Sequence, residues 1–235
     1  MRSWFHSAVT AFLTVTAVLA MPVGASADGK GEALLAERCA GCHNLDGTTP
    51  ETLAALLSRK GPDLSFAGNK YRAGWIAEWL TEPSRIRPAG MFYGNHLKAG
   101  EKWDQVDTAA LSKHPVLSKG DAESAAAALM TRTPRSAQLA GIEVKKVSLS
   151  LMMGDLMFDK FKGCIACHQS GPDYGGFSGP ELYTAAERLT PEYMYSYMKS
   201  PQVWDPGIWM PDMGLSETDL NKLVRYLTLI AEAEE

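Results

Sequence analysis

Apolar positions along this chain recur at helical spacing. Leu220, Leu223, Val224 and Leu227 fall on one face of a 3.6-residue period. Ser216 precedes them, with Asp219 three residues on, which reads as an N-cap with an acid in the first turn. Ser118 and Asp121 repeat that start ahead of Ala125 and Leu129. Two aromatic, amphipathic stretches, 71–80 and 190–198, run into Pro83 and Pro201. The second opens on Thr190-Pro191, with proline at the first helical position. No alternating apolar–polar stretch of any length competes, so the pattern predicts an all-α chain.

These pieces occur twice, in the same order. Gly31 leads into Cys39, and Gly154 leads into Cys164. Next come Gly61-Pro62-Asp63-Leu64 and Gly179-Pro180-Glu181-Leu182, then the aromatic stretches, then Met91 and Met210. Pro62 and Met91 are 29 positions apart, Pro180 and Met210 30. Each half closes on a Leu-Ser start, Leu117-Ser118 or Leu215-Ser216. Met91 lies 26 residues before Leu117, whereas Met210 lies 5 before Leu215. The first half therefore carries an insertion of about 21 residues near 92–116, holding His96, Trp103 and His114. Such long loops are often functional, which suggests a partner-docking surface and a shield against water. Trp103 supplies a large amphipathic contact, and the alternative is a tolerated surface loop.

The N-terminus changes the count of what folds. Arg2, an apolar run over 8–19 and Ala25-Ser26-Ala27 read as a signal peptide over 1–27, cleaved before Asp28. The run is short for a spanning helix, an uncleaved anchor being the alternative, and no other segment reads as a span. The remaining 208 of 235 residues suit two domains of about 100 each. The expected division is 28–131, a basic linker over 132–148, and 149–235. Net charge is −1 in the first segment, +3 in the linker and −7 in the last. The last is thus a docking face for a basic partner, or simply a solubilising one. Nothing points to nucleic acid.

The chemistry sits in Cys39-Ala40-Gly41-Cys42-His43 and Cys164-Ile165-Ala166-Cys167-His168. C-x-x-C-H is the attachment signature of a c-type heme, the thiols adding to the vinyl groups and the imidazole meeting the iron. A redox dithiol or a zinc site is the alternative for C-x-x-C alone. The two motifs use all four cysteines. With them in place, the chain resembles the class I cytochrome c family in a tandem diheme form, over nearly all of the mature sequence.

The resemblance implies two tandem cytochrome c-like domains, each of about three main helices around a covalent heme. It implies two hemes c held by Cys39, Cys42, Cys164 and Cys167, with His43 and His168 as proximal ligands. Pro62 and Pro180 would accept the proximal histidines' N–H. Met91 and Met210 would be the distal ligands. Met213 is the rival of Met210, but a methionine, three residues, then Gly and an aliphatic residue is the family register, and that selects Met210. His96 is the rival of Met91; His114 is disfavoured by standing before Pro115 near the last helix cap. Phe158 and Tyr226 fit the family's packing of first helix on last, while Leu35 and Ala128 depart from it.

Function follows as an expectation: a periplasmic diheme electron-transfer protein relaying single electrons between redox partners. It would act as a carrier or as the cytochrome subunit of an oxidoreductase, with a larger oxidoreductase or a terminal oxidase among its partners. On that reading no residue is catalytic, and whether the chain is also an enzyme stays open between it and the alternatives. The alternatives are a heme enzyme, peroxidase-like or sulfur-compound oxidising, and a gas-binding heme protein.

Overall fold

The computed structural model describes residues 25–234, and the chain is mostly helical. The expected signal peptide lies outside the described residues apart from 25–27, which open the first helix. In the first half, α1 (Ala25–Leu34) runs into a turn of π geometry over Leu35–Cys39, followed by α2 (Leu53–Leu57), α3 (Ala67–Lys70), α4 (Ala73–Thr81) and α5 (Lys119–Met130). The second half has α6 (Leu151–Leu156), a π turn over Met157–Phe161, then α7 (Ala185–Arg188), α8 (Pro191–Lys199), α9 (Pro201–Trp204) and α10 (Glu217–Glu234).

The expected helix starts carry the expected caps. Ser118 Oγ accepts from the Asp121 N–H at 3.3 Å, and Ser216 Oγ from the Asp219 N–H at 3.1 Å. Thr190 Oγ1 accepts from the Tyr193 N–H at 3.3 Å, with Pro191 opening α8. In each half the first helix crosses the last at a glycine. A Cβ on Gly31 would lie 2.4 Å from the Ser124 carbonyl oxygen of α5, and one on Gly154 2.3 Å from the Tyr226 ring of α10. Close approach then lets Phe158 meet Tyr226, their ring centres 5.3 Å apart. In the first half Leu35 and Ala128 are buried where that pair would stand.

The repeat is visible in space. Helices α3 and α7 begin five residues after Pro62 and Pro180, and α4 and α8 eleven after them. Tyr71 and Leu189, each nine residues after its proline, meet in an antiparallel bridge. The Arg72 N–H bonds the Arg188 carbonyl at 2.9 Å, and the Thr190 N–H bonds the Lys70 carbonyl at 3.1 Å. Equivalent positions meeting each other are what a local two-fold relation produces. One contiguous buried cluster spans both halves, from Leu35 and Phe66 to Trp204 and Ile230.

The 132–148 segment is tied down on both sides. Arg132 bonds the Leu45 carbonyl and Glu32, the Arg135 guanidinium bonds the Val203 and Trp204 carbonyls, and the Lys145 N–H bonds Asn221. The 92–116 insertion has a little structure of its own: β1 (Leu97–Lys98) pairs antiparallel with β2 (Gln105–Val106). Beyond it, β3 (Gln169–Gly171) pairs with β4 (Tyr174–Gly175) just after His168. No helix among the described residues is long and apolar enough to cross a membrane.

Candidate functional site

Each C-x-x-C-H motif folds into the same turn. The Cys42 and His43 N–H groups both bond the Cys39 carbonyl, at 3.0 and 2.9 Å. The Cys167 and His168 N–H groups both bond the Cys164 carbonyl, at 3.2 and 3.1 Å. A π turn stands ahead of each motif, ending on Cys39 itself in the first half and at Phe161 in the second. Such turns concentrate at functional sites. Burial pushes the Cys39 and Cys164 thiols up, the opposite of what an activated dithiol requires. Among the described residues no three His, Cys, Asp or Glu side chains gather to hold a bare metal ion.

The histidines are oriented by the Gly-Pro pairs. His43 Nδ1–H donates to the Pro62 carbonyl at 2.9 Å, and His168 Nδ1–H to the Pro180 carbonyl at 2.8 Å. A carbonyl only accepts, so this fixes the tautomer and leaves Nε2 with its lone pair. The preceding glycine lets the ring lie against backbone. A Cβ on Gly61 would stand 2.5 Å from His43 Cε1, and one on Gly179 2.6 Å from His168 Cε1. Burial pushes both imidazoles below the ordinary histidine pKa, partly offset by the prolyl carbonyls. Neighbouring positive charge adds to the lowering: Lys70 at His43, Arg87 and Arg188 at His168. A neutral imidazole with one free nitrogen is a metal ligand in waiting.

The methionines sit in the loops after α4 and α9. Met91 is half-buried and follows Gly90, whose φ of 75° ends a turn closed by its N–H on the Arg87 carbonyl at 3.1 Å. Met210 is half-buried, and its carbonyl accepts from Gln202 Nε2 at 2.7 Å. Met213 is 46% exposed. His96 lies against Gly90, where an added Cβ would stand 2.9 Å from its Cδ2, and its Nδ1 is buried without a partner. His114, at the end of the insertion, stands beside His43 with ring centres 6.2 Å apart.

Between the halves lies a charged seam that the sequence reading did not anticipate. Arg59 bonds Asp205 at 2.8 Å, while Arg59 Nε is buried without a partner. Arg87 lies within electrostatic reach of Asp205, Tyr71 and Tyr197. A cleft of about 430 Å³ opens beside His43, lined by residues of both halves, including Cys42, Arg59, Trp204 and Asp205. A guanidinium with an unpaired N–H can donate to a further carboxylate. The role of Gly61 and Gly179 was within reach of the repeat, since both glycines recur before the proline that orients the histidine. The seam was not, because it pairs residues 146 positions apart.

No protein-family model, curated protein or solved structure matches this chain.

Proposed function

We propose that this chain is a periplasmic diheme c-type cytochrome of two tandem cytochrome c-like domains that relays single electrons between protein partners. The observation that carries the reading is the doubled turn. Each C-x-x-C-H histidine lies on a glycine, gives its Nδ1–H to a prolyl carbonyl and keeps Nε2 free. Cys39, Cys42, Cys164 and Cys167 would hold two hemes through thioether bonds, with His43 and His168 on the irons. Bound heme supplies reversible one-electron exchange at iron. The protein's own part is to hold the rings at fixed tilt, to keep each imidazole neutral and to fill the distal side. Met210 would serve the second site there, its soft sulfur favouring reduced iron. For the first site the register offers Met91, and the insertion offers His96 and His114. Arg59 and Arg87 would meet carboxylates at the seam, which suits heme propionates. With two strong protein ligands on each iron, no position stays open for substrate chemistry, so the reading is a carrier or an electron-transfer subunit.

Intact-mass measurement on the protein secreted to a periplasm tests this. The expected mass is the chain from Asp28 plus two hemes; one heme or none defeats the proposal. Rapid stoichiometric carbon monoxide binding to the reduced protein at neutral pH would instead favour a heme enzyme or a gas binder.

A further inference from the structure

The first site is not a copy of the second, and the difference lies in the insertion. His114 stands near its end, and the ring of His114 is tilted 60° to that of His43 at a centre-to-centre distance of 6.2 Å. Two imidazoles on opposite sides of one metal, through bonds of about 2 Å, have ring centres roughly 6 Å apart. His114 Nδ1–H donates to the Pro115 carbonyl at 2.9 Å. That is the bond His43 and His168 make to Pro62 and Pro180, and it leaves His114 Nε2 free in the same way.

The ring is held from outside as well. Trp79 of α4 meets it edge to face at 4.6 Å, and Trp79 Nε1–H is itself anchored on Ser84 Oγ at 3.2 Å. The segment around it is clamped on both sides. Arg85 Nη2 bonds the Ser112 carbonyl at 3.2 Å, and the Leu117 N–H bonds the Leu80 carbonyl at 3.0 Å. Leu111 and Leu117 are buried to either side. An exposed loop histidine has no need of such fixing. The second half has no counterpart: His114 lies three residues before Leu117, and the residue three before Leu215 is Asp212.

We infer that His114, and not Met91, is the distal ligand of the first heme, so that the chain pairs a bis-histidine site with a histidine–methionine site. The inference rests on the diheme reading above. Thioether ligation raises the potential and imidazole does not, so the first heme is the lower in potential. Electrons then run downhill from the first site to the second. Bound hemes at the two sites would exchange one electron, the first giving it up and the second taking it, with no bond made or broken.

The test uses the mature protein carrying both hemes, titrated potentiometrically while the weak methionine-sulfur-to-iron band at the red end of the visible is followed. Ferric ligand fields are read in parallel by low-temperature paramagnetic resonance. The expected wild-type result is two separated one-electron steps, and a band equal to one methionine-ligated heme out of two. Met91→Leu should leave band and potentials unchanged, and Met210→Leu should abolish the band. His114→Met should raise the lower potential and double the band. A wild-type band worth two hemes or none, or one halved by Met91→Leu, overturns the assignment. If His114→Met fails to fold, the wild-type spectrum and Met91→Leu still decide. A protein whose mass carries no heme sinks the diheme reading instead, before any ligand is in question.

Discussion

Two glycines set how the His43 and His168 rings lie. At Gly61 and Gly179 any side chain would enter the imidazole, at 2.5 and 2.6 Å. Gly61→Ala therefore forces ring or backbone to move, at a cost of about 1–3 kcal/mol in stability. It also breaks the line from His43 Nδ1 to the Pro62 carbonyl. If the protein holds the two proposed hemes, we expect a high-spin fraction at the first and a normal second, with the mirror result for Gly179→Ala. Gly74→Ala, where a Cβ meets nothing within 4 Å, is the control. An unchanged visible spectrum in Gly61→Ala would show that the ring tolerates displacement. In the loop before α10, two sulfurs stand three residues apart, and Met213 is 46% exposed. Met210→His should lower the second potential, while Met213→Leu moves it far less. The reverse pattern would put the register off by three residues. The doubled motifs made the cysteines, the histidines and the prolines legible from sequence. His114 was legible only as a residue to set aside, because Pro115 reads as punctuation before a helix. In the structure the carbonyl of that same proline accepts the histidine's N–H.

Among the elements, helix starts were the easiest to read, because a cap is a local event. Ser216 and Asp219 bond each other's N–H groups, at 3.1 Å through Ser216 Oγ and at 3.4 Å through an Asp219 carboxylate oxygen. Ser216→Ala should cost about 1 kcal/mol, seen as a lowered denaturant midpoint with unchanged slope. Lys162 joins the box, bonding the Asp219 carboxylate at 2.8 Å. The Lys162 hydrogen bond is the main reason that the Asp219 carboxyl lies below its ordinary pKa, with Ser216 assisting. A carboxyl lowered on folding stabilises above its unfolded pKa, and the contribution is lost as pH falls through the folded value. Stability of the wild type should thus drop more steeply in the acid range below the ordinary carboxylate pKa than that of Asp219→Asn. Parallel acid limbs for the two proteins would mean that the pair contributes nothing. The short strands were illegible, since ladders of two or three residues have no period to detect. The π turns ahead of the cysteines were illegible too, because a single turn of five residues is too short to show a period.

At the scale of the whole molecule, the sequence divides the chain into two units and a linker, while the packing ties them into one body. Each half is at the small end for an independent core. The buried cluster is shared, with Phe66 of the first half lying 5.4 Å from Trp204 and 6.5 Å from Tyr193 of the second, ring centre to ring centre. The linker closes the joint: the Arg135 N–H bonds Asn69, and its guanidinium stacks over Phe66 at 4.6 Å while bonding the carbonyls at the end of α9. That residue touches both halves. Arg135→Ala removes a cation–π contact and charge-assisted bonds, for a loss of about 2 kcal/mol. If the halves fold as one unit, the loss lowers a single unfolding midpoint, and helix signal and heme absorbance move together. If they fold separately, the variant splits the transition, or shifts one probe and leaves the other. Since the spectra of the two sites differ under the bis-histidine assignment, following each heme's band through denaturation identifies which half lets go first in that case.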